Sequence, residues 1–257
     1  MITAGAGAVQ HNLRMSRRAG DDVSVSIEIS VPDQLEQMPA RLWLPPSGRG
    51  PALVLLQEIF GVSNYIRRRG ADLAEAVYVV LAPELYWRLD VTPIDESAPG
   101  AIEAAMGRAQ QLDWPTTVQD AVAALHHLRS RDEVSGGTGV IGFCFGGGLA
   151  FNVAAVDAVD ALVSYYGSAL PGLLDLAPQV SAPSLHHFGT ADDFIDADTV
   201  ARIREAVTRG GAAVEFETYE GANHAFDNDL FALHHPDASK VAWQRTLDFL
   251  ARVLPVG

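Results

Sequence analysis

The stretch Val140-Ile141-Gly142-Phe143-Cys144-Phe145-Gly146-Gly147-Gly148 reads as an apolar strand that ends in a tight turn and opens onto a helix. Its centre is Gly-x-Cys-x-Gly, the pattern of a nucleophile elbow with cysteine where serine usually stands. The glycines answer a steric demand. A side chain lifted over the end of a sheet needs a strained backbone, and a Cβ at Gly142 or Gly146 would meet neighbouring chain. The following helix aims its N–H groups at the same spot, which favours a thiolate and a developing oxyanion. The competing reading is a plain βα turn with a buried, inert thiol, because free cysteine is commonly buried. The residues that would have to cooperate with Cys144 decide between the two.

Outward from this turn the chain alternates strand and helix. Val23, Val25, Ile27, Ile29 and Val31 alternate with polar residues, as in a strand with one wet face. A second strand at 40–44 stops at Pro45-Pro46, and the two form an antiparallel start to the sheet. Strands are expected at 52–56, 78–82, 139–143, 161–166, 184–188 and 214–219. Helices are expected at 65–76, 102–112, 118–130, 145–156, 199–208 and 239–254, the first with Ile66, Leu73 and Ala76 inward and Arg67, Arg68 and Arg69 outward. Gly136-Gly137 reads as a break before the elbow strand. The pattern is that of βαβ units: α/β class, a mostly parallel central sheet with helices on both faces, and a site outside the strands' carboxyl ends. Residues 1–20 read as a loosely held tail or surface strand, and 21–257 as one domain.

Composition narrows the function. A net charge of −14 leaves no basic surplus for nucleic-acid phosphates, and any anion site must be made locally. The single cysteine excludes an internal disulfide and fits a reducing cytoplasm. No apolar run reaches signal-peptide or membrane-span length, so a soluble cytoplasmic protein is expected. The oligomeric state is open, and a monomer is compatible with the sequence.

A cysteine nucleophile needs a base, and the base an orienting carboxylate, in the chain order nucleophile, acid, histidine. Gly189-Thr190-Ala191-Asp192-Asp193 and Gly221-Ala222-Asn223-His224-Ala225-Phe226 each follow an expected strand, and the order Cys144, Asp192, His224 fits. Asp193 and Asp196 compete with Asp192 for the acid's place. The adjacent pairs His126-His127, His186-His187 and His234-His235 diverge in a strand or a helix, so no metal site is expected. Glu58, among Leu55, Leu56, Ile59 and Phe60, is expected to be partly buried with a raised pKa. Arg88, beside Tyr86 and Trp87, reads equally as a carboxylate clamp or as a surface arginine packed on aromatic rings.

With Gln57-Glu58-Ile59-Phe60-Gly61, Pro83-Glu84-Leu85-Tyr86-Trp87-Arg88, the cysteine elbow, Asp192 and the His224 loop in hand, the chain resembles the dienelactone hydrolase, or carboxymethylenebutenolidase, family of α/β-hydrolases. The likeness runs over about residues 51–250. It implies an α/β-hydrolase fold and no cofactor. It also implies a small lactone or ester substrate carrying a carboxylate, with dienelactone opened to maleylacetate as the leading case. By resemblance Cys144 is the nucleophile, His224 the base, Asp192 the acid, and Glu58 the partner of the resting thiol. The N–H groups of Ile59 and Phe145 form the oxyanion hole, and Arg88, with Tyr86 beside it, meets the substrate carboxylate. One position departs: a second substrate-binding arginine is replaced by Asn228, between Asp227 and Asp229. An esterase of different preference and a non-catalytic binding protein on the same fold are the alternative readings.

Overall fold

Every second residue of the central strands faces the same side of the sheet, and that alternation sorts the protein into two apolar layers. The computed structural model describes residues 23–89, 94–96, 98–209 and 212–256, so the tail expected at 1–20 lies outside the described residues. Eight strands form one sheet in the order β1-β2-β4-β3-β5-β6-β7-β8. They are β1 (Val25–Ser30), β2 (Gln37–Trp43), β3 (Gly50–Leu56), β4 (Val79–Pro83), β5 (Val134–Phe143), β6 (Leu162–Tyr165), β7 (Ser184–Gly189) and β8 (Val214–Tyr219). β2 runs antiparallel to β1 and β4, and all other pairings are parallel.

Six α-helices cover the described sheet: α1 (Asn64–Ala76), α2 (Ala101–Ala109), α3 (Trp114–Arg129), α4 (Phe145–Val156), α5 (Ala197–Thr208) and α6 (Pro236–Val253). Ala52, Val54 and Leu56 of β3 pack with apolar residues of α3, α4 and α5. Their neighbours Leu53 and Leu55 pack on the other face with Tyr65, Ile66 and Leu73 of α1 and Phe249 and Leu250 of α6. The doubly covered sheet explains why these strands carry continuous apolar runs. This is the α/β-hydrolase fold.

The structure amends two local expectations. Gly136 and Gly137 do not precede the elbow strand but lie inside β5, which begins at Val134. A Cβ on Gly137 would stand 2.7 Å from Leu254 Cδ2 and 3.0 Å from Asp160 Oδ2, so a side chain there would have to displace both. Arg69 does not point outward: its Nη2 and Nε bond Asp227 at 2.7 and 2.8 Å, and its guanidinium lies 4.1 Å from the Trp243 ring centroid. Asp227 is 1 % exposed, and a buried carboxylate recruits the nearest cation. The buried pair His186 and His187 is structural, with His187 bonded to Tyr219 and Thr246. Burial lowers the pKa of both, that of His186 to about 4.

Candidate active site

The elbow places Cys144 at φ 53°, ψ −113°, in a region that L residues rarely occupy. A Cβ on Gly142 would overlap the Gly146 carbonyl, and one on Gly146 would overlap the Leu56 carbonyl. The turn therefore closes only with glycine at both positions. The Cys144 N–H donates to Tyr165 O at 3.0 Å and its carbonyl accepts from Ser168 N at 3.1 Å, which pins the strained residue between β5 and β6. Positive φ also occurs at Tyr166 and Ala225, so three of the five such non-glycine residues described lie around this point. Such clustering is typical of functional sites, where surrounding structure holds the strain.

Parallel strands deliver the partners to the same edge. Asp192 follows β7 and His224 follows β8. His224 Nε2 lies 3.1 Å from Cys144 Sγ, and His224 Nδ1 lies 2.9 Å from Asp192 Oδ2. The other Asp192 oxygen accepts from the N–H groups of Phe194 and Ile195 at 2.8 and 2.9 Å, which fixes the carboxylate. The competing carboxylates are accounted for: Asp193 accepts from Asn223 Nδ2, and Asp196 caps α5 through Thr199 N. All three members of the chain are buried. Burial opposes a charge on His224, but the Cys144 sulfur and the Asp192 carboxylate outweigh it and raise its pKa to about 10. The neighbours thus favour an imidazolium beside the sulfur. Phe145 is the first residue of α4, so its N–H has no acceptor within the helix. Ile59 is anchored by the Tyr86 hydroxyl, which donates to its carbonyl at 2.8 Å.

Glu58 is 2 % exposed, accepts from Asn228 Nδ2 at 2.9 Å, and lies 3.4 Å from the Tyr166 hydroxyl. Burial and then the Glu96 carboxylate push its pKa up to about 8, against the Asn228 hydrogen bond, so it is mostly neutral at pH 7. Asn228 is fully buried. Its amide also donates to Glu96 at 3.2 Å, and its carbonyl accepts from Leu230 N at 3.0 Å. A cavity of about 810 Å³ has Phe60, Tyr86, Ile94, Glu96 and Leu230 in its wall, whereas Glu58, Asn228, Cys144 and His224 are not among its lining residues.

Arg88 corrects an expectation. Both terminal nitrogens bond Asp120 of α3, Nη2 at 2.9 Å, and the guanidinium lies 4.1 Å from the Trp87 ring centroid. Asp120 is 1 % exposed and also accepts from Trp87 Nε1 at 3.0 Å. A carboxylate that deeply buried needs a cation, and Arg88 supplies it. Arg88 is absent from the cavity wall. Of the two readings of Arg88, packing on aromatic rings describes its position.

The sequence model of the dienelactone hydrolase family matches residues 38–254. The chain belongs to that family. It is 35 % identical over 211 residues to a carboxymethylenebutenolidase from Pseudomonas putida, covering 80 % of this chain and 88 % of that one. It is 31 % identical over 222 residues to one from Rhodococcus opacus, covering 82 % and 84 %. Two solved structures share the fold. A dienelactone hydrolase-like promiscuous phosphotriesterase from metagenomic libraries aligns at TM-score 0.74 and 20 % identity, over 91 % of this chain and 99 % of its own. A dienelactone hydrolase from Anabaena variabilis aligns at TM-score 0.66 and 20 % identity, over 90 % and 98 %.

In this family member the sequence reading missed several residues around the site. Tyr166 packs its ring 5.2 Å from that of His224, and the Ser168 hydroxyl lies 3.8 Å from Cys144 Sγ. Their position just after β6 was a usable signal, since it is the same sheet edge. Phe194, 57 % exposed with its ring 5.0 Å from His224, stands two residues beyond Asp192. Asp120 and Glu96 carried no signal, one being a helix residue and the other part of a polar loop. Among the described residues no group of three or more histidine, cysteine, aspartate or glutamate side chains is placed to hold a metal ion. No described helix is long and apolar enough to cross a membrane.

Proposed function

We propose that this protein hydrolyses a small carboxylic ester or lactone through an acyl-Cys144 intermediate. The supporting observation is the unbroken chain from Asp192 Oδ2 through His224 to Cys144 Sγ, at 2.9 and 3.1 Å. The sulfur attacks the carbonyl carbon, forming the S–C bond while the π pair moves to oxygen. The N–H groups of Phe145 and Ile59 receive that oxyanion. Collapse breaks the C–O bond, and the departing oxygen takes the proton from His224 Nε2. In a lactone the alcohol stays tethered. A water then adds to the thioester, giving its proton to His224. Collapse releases the acid and restores the sulfur. Asp192 keeps the imidazole oriented and favours its charged form. Glu58, mostly neutral at pH 7, is the carboxylic acid that can return a proton to the sulfur when no substrate is bound.

The test is hydrolysis of p-nitrophenyl acetate and of dienelactone by wild type and Cys144→Ala. Loss of roughly 10³-fold or more in kcat is expected for whichever substrate is turned over. Equal rates in the two proteins would sink the cysteine mechanism and favour a binding role for the fold.

A further inference from the structure

We infer that the site is built for an uncharged ester with an apolar or aromatic group, and that Glu96 is a residue that excludes carboxylate-bearing substrates. The inference rests on the cysteine-hydrolase reading above and adds the substrate class to it.

Three observations carry it. First, the arginine two residues beyond Tyr86 is withdrawn: Arg88 is held by buried Asp120. Second, the polar wall beside Glu58 is acidic and already saturated with donors. The two amide hydrogens of Asn228 go to Glu58 and Glu96, and its carbonyl is held by Leu230 N, which locks the amide against flipping. An incoming carboxylate would find no donor left on Asn228 and would face Glu96. Arg67 and Arg108 also line the cavity, and among the described residues of the wall they stand with three carboxylates, Glu84, Asp95 and Glu96.

Third, the remaining surface is apolar. Phe60, Tyr86, Ile94 and Leu230 line the cavity, and Leu230 is 43 % exposed. On the side of the base, Phe194 presents an exposed ring beside His224. Large exposed apolar side chains at a reactive centre suit an apolar ligand. Tyr86 joins the two regions. It lines the cavity, donates to Ile59 O, and its pKa is raised by burial, against the Arg108 guanidinium 5.6 Å from its ring centroid, and by the Cys144 sulfur nearby.

The experiment compares two esters of similar size with the same leaving group, p-nitrophenyl butyrate and mono-p-nitrophenyl succinate. At pH 7 and low salt, kcat/KM for the neutral ester should exceed that for the anionic one at least tenfold. Glu96→Gln should narrow the ratio several-fold by raising the rate on the anion. A wild-type ratio near one, or in favour of the succinate, overturns the inference while leaving the cysteine mechanism standing, provided Cys144→Ala is inactive on both. A second measurement is independent of turnover. Cys144 is the only thiol in the chain, so iodoacetate and iodoacetamide report the charge preference of the site directly. Glu96→Gln should raise the ratio of iodoacetate to iodoacetamide alkylation rates several-fold, and an unchanged ratio overturns the role of Glu96.

Discussion

The two sides of the site are built by opposite kinds of pairing. On the side of Cys144, hydrogen bonds run toward its sulfur: backbone N–H groups of Phe194 and Ile195 hold Asp192, Asp192 holds His224, and His224 faces Cys144. Elsewhere around the site they run away from it. Asp120 takes Arg88, Asp227 takes Arg69, and Glu58 and Glu96 share the amide of Asn228. The first side depends on residues a few positions from a strand end. The second depends on buried carboxylates competing for the few cations and donors of an acidic chain. The proposed chemistry is therefore local to the sheet edge, and the proposed substrate preference depends on which carboxylate takes each donor.

The largest expected effect breaks the first side. Asp192→Asn should lower kcat for ester hydrolysis by roughly 10²–10⁴-fold with little change in KM, because the amide favours the wrong imidazole tautomer. Steady-state kinetics checks the split, and a KM effect of the same size would show that Asp192 acts by binding instead. Next, Gly146→Ala should cost on the order of 3 kcal/mol or more, since its Cβ overlaps the Leu56 carbonyl. Urea denaturation measures this, and a change within 0.5 kcal/mol, roughly the scatter of surface substitutions, would mean that the elbow relaxes easily.

The groups elsewhere around the site give smaller, pH-dependent effects. Glu58 has a folded-state pKa near 8, above the usual 4.5, so the folded protein binds more protons than the unfolded chain between those values. Stability contributed at this site is fully present below about pH 4.5 and is lost as pH rises through 8. Glu58→Gln should therefore melt higher than wild type at pH 9, relative to the difference between them at pH 4. Thermal melts across that range test it, and a constant difference would show that folding leaves the pKa of Glu58 unchanged. The smallest effect belongs to Phe194→Ala. Removing a half-exposed ring should raise KM for an aryl ester roughly fivefold, about 1 kcal/mol, with kcat nearly unchanged. A fall in kcat alone would instead assign Phe194 to positioning His224.

Much of this arrangement was legible in the amino-acid order. The elbow glycines, the alternation of strands and helices, and the chain order of Cys144, Asp192 and His224 are all short-range or topological features. Parallel strands carry whatever follows them to one edge, so a residue just after β5, β7 or β8 is placed by connectivity. The choice among Asp192, Asp193 and Asp196 was open on the residues alone. It is decided by which carboxylate turns inward, and the N–H groups of Phe194 and Ile195 turn Asp192. The start of β5 was misread because Gly136 and Gly137 look like a break. Their surroundings, Leu254 beside Gly137 and Pro51 with the Pro255 carbonyl beside Gly136, come from distant parts of the chain and are invisible locally.

By itself the sequence determined the fold, the strained turn and the three residues that meet at the strand ends, because each follows from backbone sterics, periodicity and connection order. Only the tertiary structure decided where Arg88, Arg69 and Asn228 spend their hydrogen bonds. Asp120 and Asp227 are buried by packing between elements distant in sequence, and burial makes an unpaired carboxylate costly enough to capture a cation. The turn at Cys144 was read from nine residues, whereas the polar groups around it are held by hydrogen bonds between residues 32 to 170 positions apart.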